Sequence, residues 1–594
     1  MLRGAGLLGV VAVASSARGK EADQKSRSTP LTLVLSFPDG KSLSFEETKA
    51  TDLGDYVGAF VQQKCLRQRL SPWTVFFRPD VNGLRHEIVV EYGTEYSFSA
   101  EAAPKPLGGV APAHILTPYK ATITGGKLSA PLTISVPKHF WGARWRWQSA
   151  PRPVFRSLAD LVARKALPPY SKAALYNNPR PPGRSAPWAG PMSVGGLSIA
   201  MGSPGDRPEL GFITEPQACF LFTGDSGAEE GMRSHAEASG TIAMHVRDGT
   251  TGAPFSVQKF PNLALQHALS PERYQIPKPT APLSDHEWIE TELSHFPSLG
   301  FVPWLLTDDP FFLEEEQFVA NYGMFESNYF QSNEKLPGLA IADTRGFAWG
   351  LRDLFRMAAF APAEAPSWLV SRAYWRTCLD NNLTYAKKFV ASSAPECRIF
   401  HLIVETGYLS VFMVDYLEIV VGWAGWSQFF PEWAPVIEYV AGPRLALIAD
   451  PKAGPGWDRR LPAPYNMPLV GASEGAKASI HSTPYPTYAP PESLNATVPH
   501  SWAELWTNFL EWFNAQPKAV PLDPKSWPPD VLSPDQRHGY LEEARAAVAA
   551  LALAGLHEAA AAHRWLEPQM LRVFQADGAS GLFKWAIWPE EAKH

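Results

Sequence analysis

Cysteine is scarce in this chain, and the motifs of several enzyme classes are missing. Only four cysteines occur among 594 residues, and none belongs to a CxxC or to a Cys/His cluster with metal-ligand spacing. No GxGxxG follows a predicted strand, and there is no GxxxxGK[ST], no HExxH and no GxSxG in a strand–turn–helix context. These absences argue against zinc sites, nucleotide enzymes and common serine esterases, and we expect neither metal nor cofactor.

Long hydrophobic runs and an excess of one charge are also missing. No stretch reaches about 18 uninterrupted apolar residues, so no membrane span is predicted. The net charge of -6 is small for this length and argues against a nucleic-acid binder. The N-terminal residues carry one Arg, an apolar run and small residues through Ala17, which is typical of a short secretory signal. We therefore expect a signal peptide at 1–18 and a soluble, secreted or periplasmic protein.

Aromatic residues are abundant, with 21 Trp, 18 Tyr and 32 Phe. Flat aromatic faces suit sugar rings, but they also fill large cores, and most of these residues are expected in cores.

The length predicts two or three domains. Cys378 and Cys397 could close a short loop or remain buried thiols.

Residues 30–165 have the pattern of an antiparallel β-sandwich. The turn "PDG" separates "PLTLVLSF" from "KSLSFEE", and a Gly-Gly hairpin signal interrupts "KATITGGKLSAPLTISV". A Pro/Gly-rich segment at 166–205 then predicts a linker or a loop laid over the next domain.

Residues 206–450 read as helical hairpins with a weak internal repeat. The segments 218–238 and 302–322 align without gaps, so that Asp225 falls on Asp309, and each is predicted as helix, tight turn and helix. The aspartates are predicted to cap the second helices, and Pro310 to occupy the first helical position. A long Pro/Gly/Ser-rich loop is expected at 451–500. C-terminal helices are expected at 501–594, including one at 501–516 and one at 540–566.

A β-sandwich followed by helical hairpins resembles the α/α-toroid enzymes that act on polysaccharides, both glycoside hydrolases and polysaccharide lyases. The hairpin repeats at 211–240 and 299–324 and "RGFAWGLRDL" at 345–354 carry this resemblance. "GFITEPQACFLFTGD" and "AMHVRDGTTGAPFS" look more closely like segments of uncharacterised bacterial proteins, which imply no activity. The resemblance implies a mixed β and α fold in which an α/α-toroid cleft binds the substrate.

Two segments place candidate chemistry in the hairpin region. "MHVRDGTTG" brings His245, Arg247 and Asp248 together, which could bind a uronate carboxylate and move a proton. The structural alternative for this segment is a turn in which Asp248 is the cap and Arg247 forms an ion pair with Asp248. His295 precedes Pro297, which is predicted to open a helix, and Glu215 lies near the equivalent point of the earlier repeat. Both could face one cavity, or serve only at ordinary first helical turns.

A third segment, "HLIVETGYLSVFMVDYLEIV", adds Glu405 and Tyr408. Glu405 with Asp415 or Asp248 could supply the paired carboxylates of a hydrolase, and Tyr408 the base or acid of a lyase. The alternative is a buried amphipathic helix. The candidate catalytic residues are thus Glu215, His245, Asp248, His295, Glu405 and Tyr408.

One predicted helix carries polar and aromatic residues along one face, which we call the arginine–tryptophan stripe. Arg345, Trp349, Arg352 and Arg356 recur at i, i+4, i+7 and i+11 in "TRGFAWGLRDLFRMAAFAP". The stripe could be a solvated face or the wall of a groove that binds a glycan, since Trp offers a stacking plane and Arg a fork for carboxylates. The candidate substrate-binding residues are Arg247, Arg345, Trp349 and Arg352.

These patterns predict an exported polysaccharide-cleaving enzyme, either hydrolase or lyase, whose partner is a polysaccharide or oligosaccharide. The arginine stripe and the two histidines favour an acidic substrate slightly. The alternative is a non-catalytic protein that binds glycans, acts as a scaffold or forms part of a larger assembly. The oligomeric state is open.

Overall fold

The computed structural model combines an N-terminal antiparallel β-sheet region with a helical C-terminal region. It describes residues 29–99, 102–106, 115–116, 118–176, 188–197, 207–260, 263–265, 274–276, 293–327, 336–340, 344–392, 408–409, 411–449, 467–468, 534–577 and 581–589. Within these ranges, no helix has the length and apolar character needed to cross a bilayer.

Two antiparallel sheets dominate the N-terminal region. Their strands are β1 (Thr29–Ser36), β2 (Ser42–Glu46), β3 (Thr51–Val57), β4 (Gln62–Leu70), β5 (Trp73–Phe77), β6 (Glu87–Tyr92), β10 (Tyr119–Gly126), β11 (Leu132–Val136) and β13 (Ala143–Gln148). One sheet has the strand order β11-β10-β1-β2, and the other has the order β13-β6-β5-β4-β3. The short strands are β7 (Glu95–Ser99), β8 (Ala102–Pro106), β9 (Ile115–Leu116), β12 (His139–Phe140), β14 (Arg247–Asp248), β15 (Leu263–Leu265), β16 (Tyr274–Ile276), β17 (Tyr408–Leu409) and β18 (Met467–Pro468).

Alternation along the strands explains why the two sheets contact each other. In β1, Leu31, Leu33 and Leu35 are fully buried, while their neighbours are more exposed, as the period of two in a strand requires. The buried faces meet across the two sheets. Trp73 of β5 has its ring centroid 5.2 Å from that of Tyr119 of β10, in an edge-on arrangement.

The helices follow in hairpins, as the repeat predicted. They are α1 (Leu158–Ala163), α2 (Glu215–Thr223), α3 (Ser226–Ala238), α4 (Phe301–Thr307), α5 (Pro310–Ser327), α6 (Thr344–Phe360), α7 (Arg372–Ser392), α8 (Val411–Ser427), α9 (Ala434–Ala449), α10 (Pro534–Leu553) and α11 (His557–Asp577). Asp225 caps α3 by accepting a bond from the Ala228 N–H, and α5 begins at Pro310. Both local predictions are confirmed.

Two helix boundaries differ from the prediction. The stretch 540–566, interpreted as one helix, is divided between α10 and α11, because Gly555 has a φ of +89° and ends the first helix. The helix predicted to open at Pro297 begins at Phe301 instead, and a short 3₁₀ turn precedes it at Leu293–His295. The helix predicted at 501–516 lies outside the described residues.

The later helices pack in two layers. In one layer α8 packs against both α6 and α10, and in the other α9 packs against both α7 and α11. The side chains that the structure describes in the first layer are almost all buried, whereas α7 has exposed residues every three or four positions. The inner helices also bury charged side chains, among them Arg352 and Arg356 of α6.

The sheets and the helices share one hydrophobic core. Asp308, at the turn between α4 and α5, reaches the β3–β4 hairpin, where its carboxylate accepts bonds from the Tyr56 hydroxyl at 2.9 Å and from the Val61 N–H at 3.0 Å. A charged side chain from the helical region therefore fixes the end of a β-hairpin.

Candidate functional site

A cleft of about 590 Å³ lies between β13, α3 and the loop at 188–191, and we call it the α3 cleft. Its lining combines two tryptophans with several charged groups. It is formed by Ile134, Arg146, Trp147, Gln148, Trp188, Gly190, Pro191, Ser226, Glu229, Glu230, Arg233, Ser234 and Glu237. The volume lies in the range of small-molecule sites.

Local structure positions the polar groups of the α3 cleft. Glu230, Ser234 and Glu237 follow the i, i+4, i+7 spacing that puts residues on one face of a helix. The Trp188 backbone N–H donates to the Ser234 hydroxyl at 3.1 Å, which fixes the loop against α3. The Pro/Gly-rich segment predicted to lie over the next domain thus supplies one wall of the cleft.

Two arginines of the α3 cleft are already paired. Arg146 bonds Glu237 through Nε at 3.0 Å and Nη2 at 2.5 Å, and its Nη1 reaches Glu87 and Asp309. Arg233 bonds Glu229 one helical turn away at 2.8 Å. Among the described residues Glu230 has neither a hydrogen bond nor an ion pair, and it is exposed.

Behind the α3 cleft lies a buried ion cluster centred on Glu314 and Glu315 of α5. Arg78 reaches Glu314 at 2.8 Å and Arg247 reaches it at 2.7 Å, while Arg144 bonds both glutamates. All five side chains are fully buried. Burial alone would raise the pKa of Glu315, but Arg144 and His245 outweigh it and lower that pKa to about 2.

His245 and Arg247 belong to this buried ion cluster. His245 Nε2 lies 3.0 Å from Glu315, and its Nδ1 lies 2.9 Å from the Gly142 carbonyl oxygen. Arg247 bonds Glu91 at 2.6 Å instead of the neighbouring Asp248. The pairing proposed within "RDG" is therefore wrong, because the strand β14 turns Arg247 into the cluster.

Asp248 caps a turn, as the structural alternative for this segment predicted. It accepts the Thr250 N–H at 2.8 Å and pairs with Lys259 at 2.5 Å. Burial opposes ionisation of this carboxyl, but these two donors lower its pKa below the usual value.

Glu215 is the first residue of α2 and is buried. Its two carboxylate oxygens accept bonds from the Phe583 N–H at 3.0 Å and the Lys584 N–H at 2.8 Å. It thereby holds the C-terminal segment, and burial raises its pKa against the effect of those donors. His295 ends the 3₁₀ turn, where its carbonyl accepts from Arg207 at 3.1 Å.

The arginine–tryptophan stripe lies inside the helical region, not along an open groove. Trp349, Arg352 and Arg356 have no exposed surface, and Arg345 is 4% exposed. Arg352 donates to the carbonyl oxygens of Gly211 at 2.7 Å and Phe296 at 3.1 Å. Because these bonds tie α6 to the segments before α2 and α4, burial contradicts the interpretation as a groove wall.

The remaining candidates lie mostly beyond the described residues. Glu405 is outside them, and for Tyr408 the structure describes only the backbone, in the two-residue strand β17. Cys65, Cys219 and Cys378 are buried free thiols. Within the described ranges no group of three His, Cys, Asp or Glu side chains is arranged to hold a metal ion.

The ten residues chosen from the sequence and the described lining of the α3 cleft do not overlap. The structure brings His245 and Arg247 together in the ion cluster, and it brings Arg352 to the segments that carry Glu215 and His295. Two sequence patterns could have indicated the cleft residues. Arginine and tryptophan alternate in "RWRWQ", and acidic residues recur at helical spacing in "AEEGMRSHAE".

Comparison of the chain with protein-family models, with curated proteins and with solved structures gave no match.

Proposed function

We propose that this protein is an exported polysaccharide-cleaving enzyme of the glycoside hydrolase type, and that its glycan occupies the α3 cleft. One observation carries the proposal: Trp147, Trp188 and three glutamates line the same cleft. Tryptophan faces bind the apolar faces of sugar rings, and paired carboxylates perform glycoside hydrolysis. Export is supported by the N-terminal sequence alone.

The spacing of two carboxylates supports hydrolysis. Glu230 and Glu237 lie two turns apart on one face of α3, which corresponds to a rise of about 10 Å along the helix. Side chains can shorten this distance toward the ~6.5–9.5 Å typical of inverting glycosidases. In that mechanism one carboxyl of the pair protonates the leaving glycosidic oxygen, and the other accepts a proton from the water that attacks the anomeric carbon.

A lyase is supported less well. Its β-elimination needs a base beside the uronate, commonly Tyr or His, and the described lining of the α3 cleft contains neither. We therefore favour the hydrolase of the two reaction classes.

The proposal includes the finer architecture, a β-sandwich and an α/α-toroid. The contact between the two antiparallel sheets supports the first part. The two-layer packing of α6 to α11 supports the second, because an α/α-toroid has an inner and an outer ring of helices.

The test is a panel of neutral and uronate-bearing polysaccharides incubated with the full chain. We would follow reducing ends together with the ultraviolet absorbance of unsaturated uronates. A hydrolase raises reducing ends alone, and Glu230→Gln should then lower the rate at least ~100-fold. Glu438→Gln, the same charge change on the exposed side of α9, is the matched control. A rise in both signals would instead indicate a lyase.

One observation favours a second candidate, a non-catalytic glycan-binding protein. Glu229 and Glu237 are already bound to arginines, which is typical of structural ion pairs. This candidate predicts that glycans bind and quench tryptophan fluorescence without cleavage. Trp147→Ala should then weaken binding, whereas Glu230→Gln should leave the products unchanged because none form.

A further inference from the structure

We propose that the α3 cleft selects glycans that carry protonated amino groups, that is, oligosaccharides of hexosamine, over neutral sugars and above all over uronates. This inference rests on the proposed function, namely that the cleft binds a glycan. It concerns which charge the glycan carries.

The first cation of the cleft, Arg146, is almost wholly buried and already bonds three carboxylates. Its Nε and Nη2 bond Glu237, and its Nη1 bonds Glu87 at 3.0 Å and Asp309 at 2.7 Å. The side chain is 1% exposed and stacks over Phe311. A uronate carboxylate could reach this guanidinium only by displacing one of its three carboxylate partners, all of which are largely buried.

The second cation, Arg233, is similarly engaged. Its Nε bonds Glu229 at 2.8 Å, and its Nη2 donates to the Arg152 carbonyl oxygen at 2.9 Å while lying 2.8 Å from Glu229. An arginine that already binds a carboxylate and a backbone oxygen offers little to a second anion. The Nη1 donors of Arg233 remain, but its charge is already paired with that of Glu229, so neither arginine brings an unpaired positive charge to the cleft.

The group that remains available is an anion. Glu230 is exposed at the α3 cleft and has no partner among the described residues. Three carboxylates and two guanidinium groups line the cleft, so its net charge is one negative unit. A sugar ammonium would pair with Glu230, whereas a uronate would meet a like charge in a cleft whose net charge is already negative.

The expected selectivity is modest, because Glu230 faces solvent. Exposed ion pairs contribute a factor of about two to five in affinity, and salt screens them. A glycan with several charged sugar units would show a larger difference in affinity, because each charge interacts with the net negative charge of the cleft. We therefore expect the hexosamine preference to fall as salt is added, while the tryptophan contribution to binding persists.

The experiment is titration calorimetry on the full chain with β-1,4-linked tetrasaccharides of glucosamine, N-acetylglucosamine and mannuronate. A mildly acidic buffer keeps the amino groups protonated. The expected order of affinity is glucosamine, then N-acetylglucosamine, then mannuronate. Glu230→Gln should weaken glucosamine binding about two- to fivefold and leave N-acetylglucosamine binding unchanged. Glu438→Gln, which makes the same charge change away from the cleft, should alter neither.

The outcomes separate this inference from the proposed function. If mannuronate binds as tightly as the neutral tetramer, or if Glu230→Gln does not change the glucosamine affinity, the charge selectivity is wrong while glycan binding stands. If none of the three binds and Trp147→Ala has no effect on any titration, both proposals fail.

Discussion

Glu314 is in contact with three arginine side chains at once, and none of the four residues has exposed surface. Desolvating four charges is expensive, and only their mutual pairing offsets that cost. Phenylalanine rings around the guanidinium groups add cation–π contacts, as where Arg247 lies 4.8 Å from the Phe318 centroid. The buried ion cluster thus joins α5 to the β-sheets through charge as well as packing.

Removing the central charge should be costly. We expect Glu314→Gln to lower the free energy of unfolding by about 3–5 kcal/mol, because uncompensated guanidinium groups would stay buried. Urea denaturation measures this difference. Glu230→Gln, the same change at an exposed position, is the control and should stay within ~0.5 kcal/mol of the wild type. Equal stabilities for the two variants would show that the cluster is not a stabilising unit.

Glu215 offers a test between a catalytic and a structural role. We expect Glu215→Ala to lower the free energy of unfolding by about 2–5 kcal/mol, since two buried N–H groups of the C-terminal segment would lose their acceptor. Glu215→Gln, which keeps one acceptor oxygen, should cost less. If activity disappears in Glu215→Gln while the thermal midpoint is unchanged, the catalytic prediction for this residue would be restored.

At this scale, sequence reasoning recognised residue types but not their surroundings. The sequence pattern predicts that His245 and Arg247 react as neighbours. In the structure His245 contacts Glu315, which is 70 positions away in the chain. Arg247 bonds Glu91, which is 156 positions away. Nothing local indicates which carboxylate will meet which arginine. The sequence places the glutamates of α3 near the start of a helix. It does not indicate that Trp188 lies against this helix, because that contact depends on a loop that folds back onto α3.

At the scale of the element, Gly422 explains how two buried helices approach closely. A Cβ placed on it would lie 2.7 Å from the Ala550 carbonyl carbon, which is closer than van der Waals contact permits. Small residues on α8 and α10 therefore set the distance between the helices of the inner layer.

Gly422→Ala should separate α8 from α10. The better helix propensity of alanine would raise the free energy of unfolding by up to ~1 kcal/mol. Overpacking against the backbone of α10 should lower it by about 1–3 kcal/mol or more, so we expect net destabilisation. Thermal unfolding followed by circular dichroism measures it. Asp380→Ala, an exposed helical position of α7, is a control that should shift the midpoint little. A stabilised Gly422→Ala protein would contradict the packing described between these helices.

Whole-molecule stability should depend on pH in two opposite ways. The pKa of Glu315 is lowered to about 2, so its stabilising effect is complete above its usual value near 4.5 and is lost as the pH falls toward 2. Burial raises the pKa of Glu542 to about 8, against the opposing effect of Arg545. Its neutral form suits the folded state, so stability declines as the pH rises from about 4.5 to 8.

A variant can isolate the alkaline part of this profile. Glu542→Gln mimics the protonated carboxyl and can still accept the Leu582 N–H. Relative to the wild type, we expect it to gain on the order of 2–4 kcal/mol near pH 8 and little near pH 4.5. Denaturant midpoints across this range measure the difference. Parallel profiles for the two proteins would show that Glu542 is ionised in the folded state throughout.

The sequence by itself determined the order of strands followed by helices and the positions of the hairpins, because alternation, turn glycines, capping aspartates and Pro310 act within a few residues. Only the tertiary structure decided that the arginine–tryptophan stripe is buried and that Glu230 is left exposed at a cleft with tryptophans. Burial and ion pairing depend on which distant segments meet, and that information is spread over the whole chain.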